Sequence, residues 1–384
     1  MAYYFLFPES DTTLYSHPNR KELNTGADEI LEILKEKGNE DDILYPSRVV
    51  LKFKNDELKS TISNVVGHSK FQSAKVNLQL MSSQAQNIAS TIVLEAFLLA
   101  ESFDEGTGKY LNIPTGSNGA SWKFRNNTIT ATEWTTSSFS AGTTGSINSS
   151  LITQGGGVWF TGSGFQTEQQ FLVGDSLDTN FDVTTMVQKH SASLFNSSAY
   201  PTGVTNNGFL IKKTDTIEIE TSSSLGDLAY FSTDTHTIYP PRLCFKWDDS
   251  SFIDAATGSA KNEGELNVSL YRNQEEYNQN DEATFRIHVR DKYPTRTFTT
   301  SSNFLNVGYF TTSSFYSIRD AHTEEEIIPF DDNYTKLSAD SKGMYFKLFM
   351  KGLQPERYYR ILFKHTNLEG TIIYDDNYFF KIIR

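Results

Sequence analysis

Short apolar runs with a two-residue period recur along most of this chain. Val49, Leu51 and Phe53 alternate with other residues in 47–53, and Ala74, Val76, Leu78 and Leu80 do so in 71–80. Alternate side chains on a strand point to opposite faces, so the period predicts strands. Residues 92–99 form a third apolar run, too short for a typical helix and rich in strand formers. The turn-forming Asn206-Asn207-Gly208 precedes a strand candidate at 209–212, and 228–232 and 242–247 are further candidates. In 242–247, Leu243, Phe245 and Trp247 share one face, with Arg242, Cys244 and Lys246 on the other. Residues 3–7 are a short aromatic strand candidate. Ile30, Leu31, Ile33 and Leu34 admit two readings. Acids before the run and Lys35 and Lys37 after it complement a helix dipole, yet the run is short, and a strand is the preferred reading. In 181–187 an Asp or Thr is positioned to cap a helical turn.

Residues 101–170 break this pattern. They are dense in Gly, Ser, Thr and Asn, include Gly155-Gly156-Gly157, and carry Trp122, Trp134 and Trp159. Loops this long inside a domain are usually functional or disordered, and the tryptophans argue for ordered excursions from a sheet. Residues 248–264 are small and polar, after which alternation resumes at Leu266, Val268 and Leu270, at Phe285, Ile287 and Val289, and through 345–349 and 359–363. The segment Gly352-Leu353-Gln354-Pro355-Glu356-Arg357-Tyr358-Tyr359 looks like the corner of immunoglobulin-like sandwiches where a tyrosine hydroxyl returns to the upstream backbone. The expected architecture is therefore all-β. A jelly-roll-like sandwich with long loops covers 1–250, a linker 251–264, and a smaller immunoglobulin- or fibronectin-like sandwich 265–384.

Composition sharpens this reading. The 384 residues include 28 Phe and 19 Tyr against 5 Met and 4 Trp, a bias suited to half-buried pleated surfaces. The net charge is −13, and no Lys/Arg cluster is longer than Lys212-Lys213. Without a concentrated positive footprint, nucleic-acid partners and anionic membrane surfaces are not expected. The single Cys244 excludes an intrachain disulfide and a cysteine zinc cluster. The N-terminal MAYYFLFPESDTT lacks a basic start and its apolar run stops at Pro8, so it does not read as a signal peptide. No run approaches the roughly 20 apolar residues that span a bilayer, so membrane insertion is not expected.

Catalytic patterns are missing. The seven histidines (17, 68, 190, 236, 288, 322 and 365) show no i, i+2 or i, i+4 ligand spacing. There is no nucleophile elbow, and the glycine-rich 154–164 lacks the Lys and the helix that cradle phosphate. Adjacent acids, as at Asp331-Asp332 and Asp375-Asp376, point to opposite faces on a strand and read as solvated loops. The expectation is no enzyme, no metal and no cofactor. Trp122, Trp134 and Trp159 with Tyr110 are the candidate glycan-binding set, since aromatic rings on loops can stack on sugars. The competing reading is that each tryptophan anchors its own loop, as large aromatics are on average well buried.

Four pieces in order carry a family resemblance. They are Asp11-Thr12-Thr13-Leu14-Tyr15 with Asn24-Thr25-Gly26 and the strand-like 28–34; Ser47-Arg48-Val49-Val50-Leu51-Lys52-Phe53 with 73–78; Phe181-Asp182-Val183-Thr184 with Asn207-Gly208-Phe209-Leu210-Ile211-Lys212; and the stretch from Tyr230 to Asp248 containing Tyr239-Pro240-Pro241-Arg242-Leu243. Together they resemble the DNRLRE-type β-sandwich, related to some carbohydrate-binding modules, over about 10–250. The closing piece is similar to the form found in virion structural proteins of large contractile-tailed bacteriophages. The resemblance implies a non-enzymatic structural protein of a phage tail, neck or baseplate, made in the host cytoplasm and located in the virion. Its partners would be other virion proteins in a symmetric assembly, joined by long loops and by strand addition at 3–7 and 378–383. The alternative is a carbohydrate-binding protein that recognises host surface polysaccharide.

Overall fold

Strands carry nearly all the regular structure, as the alternation predicts. The computed structural model describes residues 2–38, 43–111, 118–135, 143–145, 155–195, 203–220, 223–252, 260–261, 265–271, 273–294, 308–310, 313–367 and 370–384. Contacts group the chain into two compact units. One comprises Leu6–His68 and Lys75–Cys244, the other Met1–Phe5, Ser69–Ala74 and Phe245–Arg384. The division thus falls inside the Arg242–Trp247 strand, a few residues before the boundary expected from composition. Residues 2–5 group with the C-terminal unit. Within the expected linker, Phe252 bridges to Ala339 of that same unit.

The larger unit is built on a sheet ordered Gln166–Leu172, Thr91–Leu98, Phe209–Lys213, Leu44–Lys52 and Ser10–Tyr15, with Lys35–Lys37 also on Leu44–Lys52. Ile211 sits opposite both Val49 and Ala96. Val49, Val50 and Leu51 are all fully buried, so the centre of the sheet is covered on both faces. Ile30–Ile33, Asp227–Phe231 and Ser82–Gln86 form a second sheet, which settles the 30–34 run as a strand. The two sheets are joined by the Ser47 hydroxyl, which donates to the Glu32 carbonyl (2.7 Å), and by the Glu32 amide, which donates to Thr13 Oγ1 (3.0 Å).

Helix is the minor component. Thr184–Phe195 extends well beyond the single turn expected, and Asp182 Oδ1 accepts the Thr184 amide (3.1 Å) at its start. Asn55–Ser60 continues as π-helix through Thr61–Val66. Asp56 and Glu57 in its first turn and Lys59 in its last complement the helix dipole, whereas Thr61, Ile62, Val65 and Val66 are β-branched and poor helix formers.

The smaller unit is a sandwich. One sheet is ordered Leu266–Tyr271, Glu282–Asp291, Gly343–Phe349 and Ser338–Asp340. The other is ordered Glu276–Asn278, Gly370–Ile383, Tyr358–Asn367, Ser314–Asp320 and Glu326–Ile328. Aromatic rings meet between the two. Phe346 stacks on Tyr316 at 4.3 Å, and Phe285 lies 5.5 Å from Phe380. The Tyr359 hydroxyl donates to the Gln354 carbonyl at 3.0 Å, the corner expected from sequence.

Ala2–Leu6 lies at the edge of a sheet beside Arg242–Trp247, with its side chains covered. Tyr3, Tyr4 and Phe5 are at most 4 % exposed, Tyr4 packs edge-on to Phe349 (6.2 Å), and the Tyr3 hydroxyl donates to Asp331 (3.0 Å). In Arg242–Trp247 the face of Leu243, Phe245 and Trp247 is buried, and on the other face Cys244 is buried between the half-buried Arg242 and Lys246.

Candidate functional site

The three loop tryptophans converge, but inward. Trp122, Trp134 and Trp159 are 0, 5 and 2 % exposed and share one core cluster with Leu14, Val50 and Leu210. They offer no ring face to a sugar, which corrects the glycan-binding expectation for all three. The physical reason is Arg48. It shares a strand face with Val50 and projects into that cluster. Its guanidinium lies 4.5 Å from the Trp122 ring centroid and 4.9 Å from that of Trp159. A buried cation of this kind needs an aromatic wall and a paired charge.

Glu218 supplies the charge. Arg48 Nε and Nη2 donate to its two carboxylate oxygens at 3.0 and 2.8 Å, and both side chains are fully buried. Nη1 donates to the Gly156 carbonyl at 2.9 Å. The glycine run 155–157, part of an expected ordered excursion, is a fitted cover. A Cβ on Gly156 would stand 2.7 Å from the Trp122 ring and 2.8 Å from Arg48 Nη1, and its φ is +73°. Trp134 closes the cluster by donating its indole N–H to the Ser121 carbonyl (2.9 Å).

The neighbouring lysines are consumed in the same way. Lys212 is fully buried and binds Glu95 (3.1 Å) and Asp215 (2.5 Å). Lys213 donates to the carbonyls of Ser224 and Gly226, and Lys35 to those of Glu220 and Ser223. Burial pushes Lys213 down to about 8. The Lys212-Lys213 run is therefore interior, and these cations tie the connection that follows Phe209–Lys213 to the sheet.

Other sequence pieces also end in closed pairs. Asp11 Oδ2 accepts the amide and hydroxyl of Thr233 at 2.8 and 2.7 Å, and the Asp11 amide donates to Glu105 Oε1 at 2.9 Å. Asn24 donates to the carbonyls of Glu105 and Ala120 (2.6 and 2.7 Å) and accepts the Gly108 amide (2.8 Å). Desolvation lifts Asp11 to about 6 and Glu105 to about 7. His190 is fully buried beside Phe209, and desolvation lowers it to about 4. Among the described residues, no group of three or more His, Cys, Asp or Glu is placed to hold a metal.

Tyr110 is not brought to the tryptophans. It is half-buried at the other end of its loop. Its hydroxyl donates to Glu36 (2.6 Å), its amide donates to Asp28 (3.0 Å), and its ring faces Tyr15 (5.3 Å) and the Arg20 guanidinium (4.2 Å). Sequence reasoning missed Arg48 and Glu218. The available signal was a lone arginine within an otherwise apolar strand; nothing local marks Glu218 as its partner. No protein-family model matches the chain, and no curated protein matches it.

Proposed function

We propose that the chain is a non-enzymatic structural protein of a bacteriophage virion, in the tail, neck or baseplate, acting through subunit contacts. The supporting observation is that several side chains of its resembling motifs are spent on the fold itself. Asp11 is closed on Thr233, Ser232 donates to the Asp28 carbonyl (2.5 Å), and Arg48 is sealed against Glu218. Such residues hold a scaffold. A contact surface remains on the Gly370–Ile383 strand. Only residues 381–383 pair with Glu276–Asn278, while Ile372, Ile373 and Phe379 are 38, 53 and 38 % exposed. Strand addition by a neighbouring subunit would cover such an edge.

Cryo-electron microscopy of particles of the phage that carries this coding sequence tests the proposal. Density for the chain at a symmetric tail, neck or baseplate position is the expected result. Its absence from intact particles would reject the reading and bring glycan recognition, now resting on Tyr110 alone, to the front.

A further inference from the structure

Beside Tyr110 lies a pocket of about 280 Å³, lined by Asp28, Glu29, Ile30, Glu32, Lys109, Tyr110 and Leu111. Its volume is at the small end for ligand sites, enough for one head group or side chain rather than an oligosaccharide. Three carboxylates meet one lysine there. Two of the carboxylates are anchored through a single oxygen each. The Tyr15 hydroxyl donates to Glu32 Oε2, and the Tyr110 amide donates to Asp28 Oδ2. Glu32 Oε1 and Asp28 Oδ1 keep no hydrogen bond among the described residues. The Tyr110 ring already carries one cation, the Arg20 guanidinium, which also pairs with Glu36.

We propose that this pocket receives an organic cation, a primary ammonium or guanidinium group held by Asp28, Glu29 and Glu32 against the Tyr110 ring. Carboxylates fixed on one oxygen present the other as a charge-assisted acceptor. An aromatic wall adds cation–π attraction. A neutral polyol would gain hydrogen bonds but leave the surplus negative charge unbalanced. Burial holds both Asp28 and Glu32 above the usual carboxylate range, although Lys109 pulls Asp28 and Arg20 pulls Glu32 the other way. The other charged groups at the site are Lys109, Glu36, Arg20 and, 3.9 Å from Glu29, the exposed His236. The inference does not depend on the virion reading.

Calorimetric titration of the full chain with agmatine, which carries both head groups, tests it, with glucose as the neutral probe of similar size. Saturable agmatine binding is expected, weakening as pH falls because the raised carboxylates lose charge sooner than ordinary ones. Glu32→Gln should weaken it roughly tenfold, the worth of one charged hydrogen bond. Glu29→Gln, at a half-exposed rim position, should weaken it without touching the fold. Absence of saturation at millimolar agmatine, binding indifferent to both variants, or tighter binding of glucose would each overturn the proposal. Comparison with Nα-acetyl-lysinamide and Nα-acetyl-argininamide distinguishes the two sources of the cation. Tighter binding of these than of agmatine identifies a side chain of a neighbouring protein, and the reverse order identifies a free amine.

Discussion

Arg48 and Glu218 stand 170 residues apart in sequence and form a two-pronged ion pair with both side chains fully out of solvent. Removing one partner strands the other charge. Glu218→Gln should cost about 3–5 kcal/mol, read as a drop in the urea midpoint of the larger unit. Replacing both residues with apolar ones of similar volume should cost less than the single change. A single-variant loss below about 1 kcal/mol would show that the pair is not desolvated as described.

Trp122 has a different role from the one its loop suggested. Trp122→Ala should lower stability by about 3–5 kcal/mol, because it empties the wall against Arg48 and the glycine cover together. A glycan-binding tryptophan would leave the thermal midpoint unchanged. Thermal denaturation of the variant separates the two outcomes.

Tyr359→Phe tests the corner of the smaller unit. The ring contact to Phe380 at 5.4 Å survives, and the hydroxyl bond to Gln354 is lost. A loss of about 1 kcal/mol is expected, with the Trp122 environment undisturbed in near-ultraviolet circular dichroism. An unchanged midpoint would mean that water replaces the bond without cost.

Two buried groups set opposite pH trends. His190 titrates at about 4 when folded, below its ordinary 6.5, so the unfolded chain binds more protons between those values. Its contribution is full above about pH 6.5 and is lost as pH falls towards 4, by about 3 kcal/mol. Asp11 titrates at about 6 against an ordinary 3.8, so here the folded chain binds more protons. Its contribution is full below about pH 3.8 and is lost as pH rises through 6. Asp11→Asn should therefore gain stability relative to the parent between about pH 4 and pH 6. Urea midpoints across that range check the sign, and a variant that loses ground instead would contradict it.

The strands were legible because each has to bury one or both faces, and that demand writes a two-residue period into 47–53, 92–99 and 285–289. The Tyr359 corner was legible because its residues lie within one short segment. The helix from Asn55 was not, since packing overrides the poor propensity of Thr61, Ile62 and Val66. Of the expected site, Tyr110 alone stays partly exposed. The tryptophans were misplaced because a polar, glycine-rich loop looks the same in sequence whether it waves in solvent or folds back as a lid.

What the sequence by itself determined is the all-β class, the order of most strands, the small-unit corner and the want of any catalytic spacing. These depend on local periodicity and residue type. Only the tertiary structure decided that Arg48 meets Glu218, that Lys212 and Lys213 lie inside, and that residues 2–5 are covered. It also showed that three acids and a tyrosine line one pocket. Each of these joins residues far apart along the chain, and charge or ring chemistry at one position carries no record of which distant group will neutralise or cover it.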